Sequence, residues 1–158
     1  MQTCLIVEDS AVIRTIMAEM LKELGLSPVE CATATEAVDY CRQDHPPVVF
    51  LDWDLPSLGA LDFLRGVGGL PTDERPHIVL CATENDPQQF ALAHAAGAAH
   101  HLLKPFDKRR LAVKLADIGV LEEAAVPSAD GNENGSDGGN LALEEDAPAQ
   151  SAPDVASG

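Results

Sequence analysis

The sequence predicts an α/β fold, a doubly wound five-stranded parallel sheet with helices on both faces. Within residues 1–121, five short apolar segments alternate with five segments of helical pattern. The apolar segments are rich in Val, Ile and Leu and lack an alternation of polar and apolar residues, as is typical of strands buried on both faces. Strands that alternate with helices in this order pair in parallel, because each helix carries the chain back to the same end of the sheet.

The predicted elements follow one another without a repeat other than the alternation itself. The predicted strands are Thr3–Val7, Pro28–Ala32, Val48–Leu51, Ile78–Cys81 and His101–Leu103. The predicted helices are Ala11–Leu24, Thr35–Asp44, Ala60–Arg65, Pro87–Ala96 and Asp107–Ile118.

Local signals support these boundaries. Thr33 and Glu36 have the spacing of a capping box at the start of the second helix, and Gly25 and Gly97 are predicted to end the first and fourth helices. The first helix carries apolar residues at four-residue spacing, which predicts one apolar face. These residues are Val12, Ile16, Met20 and Leu24.

Charge divides the chain into two parts. All ten Lys and Arg residues precede residue 115, whereas nine of the 26 acids lie from Glu122 onward in a segment rich in Gly, Ala, Asn, Pro and Ser. Such a segment cannot bury enough apolar surface to offset its ordering entropy. We therefore expect a folded domain over residues 1–121 and a disordered acidic tail over residues 122–158. The net charge of −16 disfavours direct DNA binding, which requires cationic surface.

Other compositional features point to a cytoplasmic protein. No stretch approaches the roughly 20 apolar residues needed to span a bilayer, so membrane insertion is not expected. The four cysteines include no Cys-x-x-Cys pair, and we expect them to be small buried side chains in a reducing compartment. They are Cys4, Cys31, Cys41 and Cys81.

Polar residues follow the ends of the predicted strands, where ligands bind in sheets of this kind. Glu8 and Asp9 follow the first strand, Asp52 and Asp54 the third, and Lys104 the fifth. Carboxylates brought together raise one another's pKa unless a cation lies between them. A small set of oxygen ligands suits Mg²⁺, which can also hold phosphate oxygens, and the lysine supplies a fixed positive charge.

At these positions the chain resembles the receiver domains of bacterial response regulators, the CheY-like superfamily, over roughly residues 3–120. The matching motifs are Val7-Glu-Asp-Ser10, Leu51-Asp-Trp-Asp-Leu-Pro56, Ala95-Ala-Gly-Ala98 and Leu103-Lys-Pro-Phe106. Asp52 lies 43 residues after Asp9 and 52 before Lys104. The resemblance implies the strand order 2-1-3-4-5 that this family shares with flavodoxin; the family is itself a standard example of that order.

The resemblance also implies roles for individual residues. Asp52 would be the nucleophile that accepts a phosphoryl group from a sensor histidine kinase or a histidine phosphotransferase. Asp9 and Asp52 would bind Mg²⁺ through their carboxylates, Glu8 mainly through water, and Asp54 through its backbone carbonyl.

Two further residues would complete this machinery. Lys104 would pair with Asp52 and then with a phosphoryl oxygen. Pro105 occupies the family's cis-proline position, which would direct Lys104 inward.

Some positions depart from the family pattern. The family places a Ser or Thr at the end of the fourth strand, 22 residues before the lysine, where this chain has Ala82, with Thr83 one residue later. Either the turn shifts to deliver the Thr83 hydroxyl, or the usual contact between hydroxyl and phosphoryl group is missing. His101 stands at the aromatic switch position, where its charge could add pH sensitivity. Ala60 replaces the glycine usual eight residues after the acceptor, a change that we expect to be tolerated.

The predicted function is that of a single-domain response regulator, with no enzymatic activity beyond its own phosphorylation and dephosphorylation. It would signal by docking the face formed by its fourth helix, fifth strand and fifth helix onto a partner protein, in chemotaxis or another pathway. One alternative is a receiver fold that binds partners without phosphorylation, which Ala82 favours. A less favoured alternative is a phosphatase with an aspartate nucleophile, because Asp52-Trp-Asp54 resembles the Asp-x-Asp motif of haloacid-dehalogenase-like enzymes.

Overall fold

The computed structural model describes residues 2–127, so the predicted tail lies outside the described residues except for its first six positions. The strands are β1 Thr3–Val7, β2 Ser27–Cys31, β3 Val48–Asp52, β4 His77–Ala82 and β5 His100–Leu103. The α-helices are α1 Ala11–Glu23, α2 Ala34–Asp44, α3 Gly59–Gly68, α4 Pro87–Ala95 and α5 Lys108–Ile118. Three 3₁₀ turns lie at Pro56–Leu58, Thr72–Glu74 and Glu123–Ala125.

The five strands form one parallel sheet in the order β2-β1-β3-β4-β5. The predicted fold class and strand order are therefore confirmed, and the observed bounds of every strand lie within one residue of the prediction. All five residues of β3 are buried, as a central strand of a sheet covered on both faces requires. Within residues 2–127 no helix is long and apolar enough to cross a bilayer.

Helices cover both faces of the sheet and divide the core into two layers. On one face, Phe63 and Leu64 of α3 pack with β1 and β3 side chains and with residues of α2 and α4. On the other face, Leu21 of α1 packs with Leu111 and Leu115 of α5. Each of these leucines is at most 1% exposed, and burial of such a side chain contributes roughly 2 kcal/mol. All four cysteines are free and buried, as predicted.

The apolar face predicted for α1 is wrong over its first half. Val12 and Ile16 are 69% and 54% exposed, and the buried residues of the helix are Met17, Ala18 and Leu21. A spacing of four residues advances about 40° beyond a full turn at each step, because the helix repeats every 3.6 residues. The predicted stripe therefore winds around the helix, and only its C-terminal end reaches the core.

The helix termini follow the predicted signals with one difference. Gly25 and Gly97 adopt φ of +86° and +120°, the left-handed conformation that ends a helix at low cost to glycine. The Thr33 hydroxyl accepts the Glu36 N–H at 3.2 Å, but the Glu36 carboxylate accepts the N–H of Ala32 rather than that of Thr33. The capping interaction thus reaches one residue further back than in the usual box.

Helix α3 extends three residues beyond its predicted end at Arg65. Gly66 lies inside the helix, where α3 passes close to α2. A Cβ at Gly66 would lie 2.7 Å from the Cγ2 atom of Val38. Glycine therefore permits close packing of two helices here and does not mark a helix end.

Candidate functional site

Three carboxylates meet at the C-terminal edge of the sheet. Glu8 and Asp9 follow β1, and Asp52 is the last residue of β3, the strand beside β1. One carboxylate oxygen from each of the three lies within 4.8 Å of the others. Glu8 and Asp52 are each only 3% exposed, whereas Asp9 is exposed. We call these three residues the acidic cluster.

Lys104, directly after β5, supplies the positive charge of the site. Its Nζ donates to Glu8 Oε1 at 2.8 Å and to Asp52 Oδ1 at 3.0 Å, and its side chain is 14% exposed. Burial alone would lower the pKa of Lys104, but its hydrogen bonds to Glu8 and Asp52 and their negative charges outweigh this and raise it. The Lys104–Pro105 peptide bond is cis, and the Lys104 N–H donates to the Ala82 carbonyl at 2.8 Å.

The two oxygens of Asp52 have different surroundings. Oδ1 accepts from Lys104 Nζ and also from the backbone N–H of Asp54 at 3.0 Å. No protein donor within residues 2–127 reaches Oδ2. The next residue, Trp53, is held by its own N–H to the Cys81 carbonyl at 2.9 Å, which fixes the chain beside the acidic cluster. One oxygen of Asp52 is thus anchored and the other remains available to a ligand.

Glu8 is held at each of its polar groups. Its N–H donates to the Cys31 carbonyl at 3.1 Å, and its Oε2 accepts the Ser10 N–H at 3.1 Å. Burial raises the pKa of the Glu8 carboxyl, Lys104 and Ser10 partly offset this, and the charge of Asp52 raises it further. Glu8 is therefore an ion-pair partner of Lys104 as well as a candidate metal neighbour, a contact that the resemblance did not specify.

The acidic cluster fits Mg²⁺ by its chemistry and its dimensions. Mg²⁺ binds hard oxygen ligands at about 2.1 Å, so two ligand oxygens lie at most about 4.2 Å apart. Oxygens already within 4.8 Å of one another need only small shifts to reach that geometry. The exposed Asp9 leaves the site open to solvent on one side, which suits an ion that keeps several waters. The ligand role of the Asp54 carbonyl stays a prediction.

The structure places the two residues at the end of β4 in different environments. Ala82 pairs with Leu103 as the last residue of β4 and is 2% exposed, so the last position of β4 carries a methyl group and no hydroxyl. Thr83 is exposed, and its hydroxyl lies 3.5 Å from Asp54 Oδ2. The Thr83 hydroxyl is thus directed toward Asp54 in this structure.

His101 lies on β5 with its ring stacked on Phe90 of α4, with ring centroids 4.2 Å apart and planes inclined by 17°. Burial and the charge of Lys114 lower the pKa of His101 below 6.5. The two rings border a groove of about 310 Å³ between α4 and β5, which His94 and His100 also line.

Sequence reasoning missed Arg14. Its Nη1 donates to the backbone carbonyl of Glu8 at 2.6 Å, and its Nε lies 3.4 Å from Glu30 Oε1. The side chain is only 18% exposed. The signal that could have identified it is a basic residue in the first turns of the helix that follows an acidic strand end.

Sequence reasoning also missed the strained turn that follows Asp52. Ser57 and Leu58 both adopt positive φ, 57° and 59°, without being glycine. The crowded position is Gly59, where a Cβ would lie 3.0 Å from the Leu55 Cβ, whereas Ala60 is accommodated with 2% exposure. The chain thus enters α3 through a turn that favours glycine at two positions where it has none.

Comparisons with known proteins agree with this geometry. The first curated relatives include the phosphate regulon transcriptional regulatory protein PhoB of Escherichia coli, 25% identical over 72% of this chain. The chain spans about half of the length of PhoB, 50%. A chemotaxis protein CheY homolog of Campylobacter jejuni is 29% identical over 72% of this chain and 89% of the homolog.

Solved structures of response regulators and receiver domains also match this chain. The chemotaxis response regulator CheY4 of Vibrio cholerae matches with a TM-score of 0.69 and 25% identity, covering 75% of this chain and 98% of CheY4. The receiver domain of the sensor histidine kinase PA1611 from Pseudomonas aeruginosa matches with a TM-score of 0.68 and 26% identity, over 75% and 98% of the two chains. That structure has a magnesium ion coordinated in its active site cleft.

The family model described as response regulator receiver domain matches residues 4–116. These residues contain the acidic cluster and Lys104. The chain therefore belongs to the receiver domain family of two-component response regulators.

Proposed function

We propose that this receiver domain accepts a phosphoryl group on Asp52 from the phosphohistidine of a sensor histidine kinase or a histidine phosphotransferase. The observation that carries the proposal is the environment of Asp52. The residue is buried, its Oδ1 is anchored by Lys104 and by the Asp54 N–H, and no described protein donor occupies Oδ2. An oriented carboxylate with one available oxygen beside a fixed cation is suited to in-line attack on phosphorus.

The transfer requires no reactant other than Asp52 and the phosphohistidine. An oxygen of Asp52 forms a bond to phosphorus while the bond from phosphorus to the donor histidine nitrogen breaks, and the imidazole keeps the electron pair. Lys104 then stabilises negative charge on a phosphoryl oxygen. Asp9 and Asp52 would hold Mg²⁺ with Glu8 beside it; when bound, the ion spreads the charge of the phosphoryl oxygens. Bound magnesium in the PA1611 receiver domain, 26% identical, supports this assignment.

The phosphorylated domain would signal by docking to a partner protein. The face formed by α4, β5 and α5 carries the groove bordered by Phe90 and His101, and this groove is the feature that supports docking there. We propose a single-domain regulator of the kind represented by the CheY homologues, acting in the cytoplasm in chemotaxis or a related pathway without binding DNA. Its chemistry would be limited to its own phosphorylation and dephosphorylation.

Incubation with acetyl phosphate and Mg²⁺, followed by intact-mass measurement, tests the acceptor. We expect one phosphoryl adduct on the wild-type protein, loss of the adduct in Asp52→Asn, and retention of it in Asp54→Asn. The matched pair removes one carboxylate in each case, two residues apart. If Asp54→Asn removed the adduct and Asp52→Asn kept it, the acceptor assignment would be wrong.

A second candidate function rests on Ala82, which replaces the hydroxyl usual in the family. A receiver fold without that contact could bind partners independently of phosphorylation. The same experiment separates the candidates, because an independent binding module gives no adduct in the wild-type protein. Rapid repeated turnover of acetyl phosphate without a lasting adduct would instead indicate a phosphatase.

A further inference from the structure

We propose that Arg14 is a positioning residue for the metal site, which it serves by fixing the peptide unit that joins Glu8 to Asp9. The inference rests on the proposed function, since it concerns the same site. Arg14 contacts the backbone carbonyl of Glu8 and the carboxylate of Glu30. Its role is to set the orientation of a neighbouring ligand through the main chain.

The guanidinium of Arg14 bridges three elements. It projects from α1, donates through Nη1 to the Glu8 carbonyl after β1 at 2.6 Å, and reaches Glu30 on β2 through Nε at 3.4 Å. A guanidinium holds its donors in a rigid planar fork, so two contacts on different donors fix its orientation. A hydrogen bond from a charged donor is also roughly twice as strong as one between neutral groups. The Arg14 side chain is 18% exposed, which limits competition from water.

The carbonyl that Arg14 holds belongs to the peptide unit directly before Asp9. Glu8 is fixed on its other side by its N–H to Cys31 and by its carboxylate contacts to Ser10 and Lys104. Asp9 differs, because within residues 2–127 its carboxylate has no hydrogen bond to protein. The direction of the Asp9 side chain therefore depends on the backbone around it, and Arg14 fixes the plane of the peptide that precedes it.

A positioning role and a simple charge effect predict changes of opposite sign. If Arg14 acted only as a positive charge near the acidic cluster, its removal would reduce repulsion of a cation and strengthen Mg²⁺ binding. If it positions the Glu8–Asp9 peptide, its removal frees Asp9 and weakens Mg²⁺ binding. Groups that orient metal ligands commonly account for 10–100-fold in metal affinity. For this site we expect a loss of about tenfold, near the lower end of that range.

The experiment is a Mg²⁺ titration of the full chain, followed by the fluorescence of Trp53 and by the Mg²⁺-induced rise in melting temperature. Arg14→Gln removes the charge and the fork, Arg14→Lys keeps the charge without the fork, and Arg65→Gln is the matched control. Arg65 is an exposed surface residue that pairs with Asp62, at 72% and 59% exposure. Titrations are made well below the melting temperature of each metal-free variant, so that affinity is measured on folded protein.

We expect Arg14→Gln to weaken Mg²⁺ binding about tenfold and Arg14→Lys to weaken it less, with Arg65→Gln unchanged. Equal or tighter binding by Arg14→Gln would overturn the positioning role. If Arg14→Gln fails to fold, Arg14→Lys distinguishes the two roles. A pure charge effect would leave the Mg²⁺ affinity of Arg14→Lys at the wild-type value, whereas a positioning role would lower it. A wild-type protein that responds to Mg²⁺ in neither measurement would overturn the magnesium-dependent function itself, a result distinct from failure of the Arg14 role alone.

Discussion

Substitution of Lys104 by methionine tests how strongly the site depends on the positive charge of this largely buried side chain. Lys104 pairs with Glu8 and Asp52, and the three side chains are 14%, 4% and 3% exposed. Removal of one partner from a buried ion pair leaves an uncompensated charge and costs about 3–5 kcal/mol. Because burial already raises the pKa of Glu8, protonation of that carboxyl relieves part of the strain. We therefore expect a loss of about 3 kcal/mol in the free energy of unfolding.

Thermal melts in EDTA and in excess Mg²⁺ measure this effect. For a domain of this size a loss of about 3 kcal/mol lowers the melting temperature by roughly 10 °C. Mg²⁺ should restore more stability to Lys104→Met than to the wild type, since it replaces the missing positive charge and binds only the folded protein. Lys108→Met is the control, because its ion pair with Glu23 is 41% and 58% exposed and contributes at most about 1 kcal/mol. A metal-free Lys104→Met that melts within about 3 °C of the wild type would refute the reasoning, since that shift corresponds to less than about 1 kcal/mol.

Two other predictions concern residues near the site. Leu58→Gly should raise the free energy of unfolding, measured by urea denaturation, by about 0.5 kcal/mol. The reason is that relief of the left-handed backbone strain at Leu58 exceeds the added entropy of the unfolded chain. A destabilised variant would show that contacts of the 68% exposed Leu58 side chain stabilise the fold by more than the strain costs. His101→Phe should reduce the loss of stability on acidification. The folded-state pKa of His101 lies below 6.5, so the unfolded chain binds the proton more readily, and stability falls as pH drops through 6.5 toward the folded-state value. Melts between about pH 7 and pH 5 check this, and an unchanged pH dependence would mean that His101 does not contribute to it.

The acidic cluster could be predicted from the sequence because it depends on only two regularities. Strands buried on both faces are visible as short apolar runs, and parallel strands bring their C-terminal ends to one edge. Glu8, Asp9, Asp52 and Lys104 each lie at a strand end or within two residues after it, so an error of one residue in the boundaries does not remove them from the site. The strand order came from the family resemblance and not from the pattern itself.

Arg14 and the exposed half of α1 could not be predicted in the same way, because both depend on how the helix is rotated against the sheet. A stripe at four-residue spacing predicted the wrong face over the first half of the helix. Val12 and Ile16 face outward there, while Arg14 turns toward Glu8. Rotation is set by which side chains fill the space against α5 and the sheet, a tertiary effect. The positive φ of Ser57 and Leu58 escapes prediction for a related reason, since neither residue has an intrinsic preference for that conformation.

The residues around Asp52 follow the family pattern more closely than the residues at the end of β4. The Lys104 N–H donates to the Ala82 carbonyl, so the lysine is held beside the end of β4, one residue beyond the Leu103 that pairs with Ala82. Ala82 ends β4 and offers no hydroxyl, whereas Thr83 follows the strand and is exposed. Delivery of the Thr83 hydroxyl to the site by a shift of this turn stays a prediction. In this structure the Thr83 hydroxyl faces Asp54, and the histidine at the aromatic switch position stacks on Phe90. The residues that the family resemblance assigns to phosphoryl transfer are thus all present, whereas Ala82 and His101 depart from the family pattern.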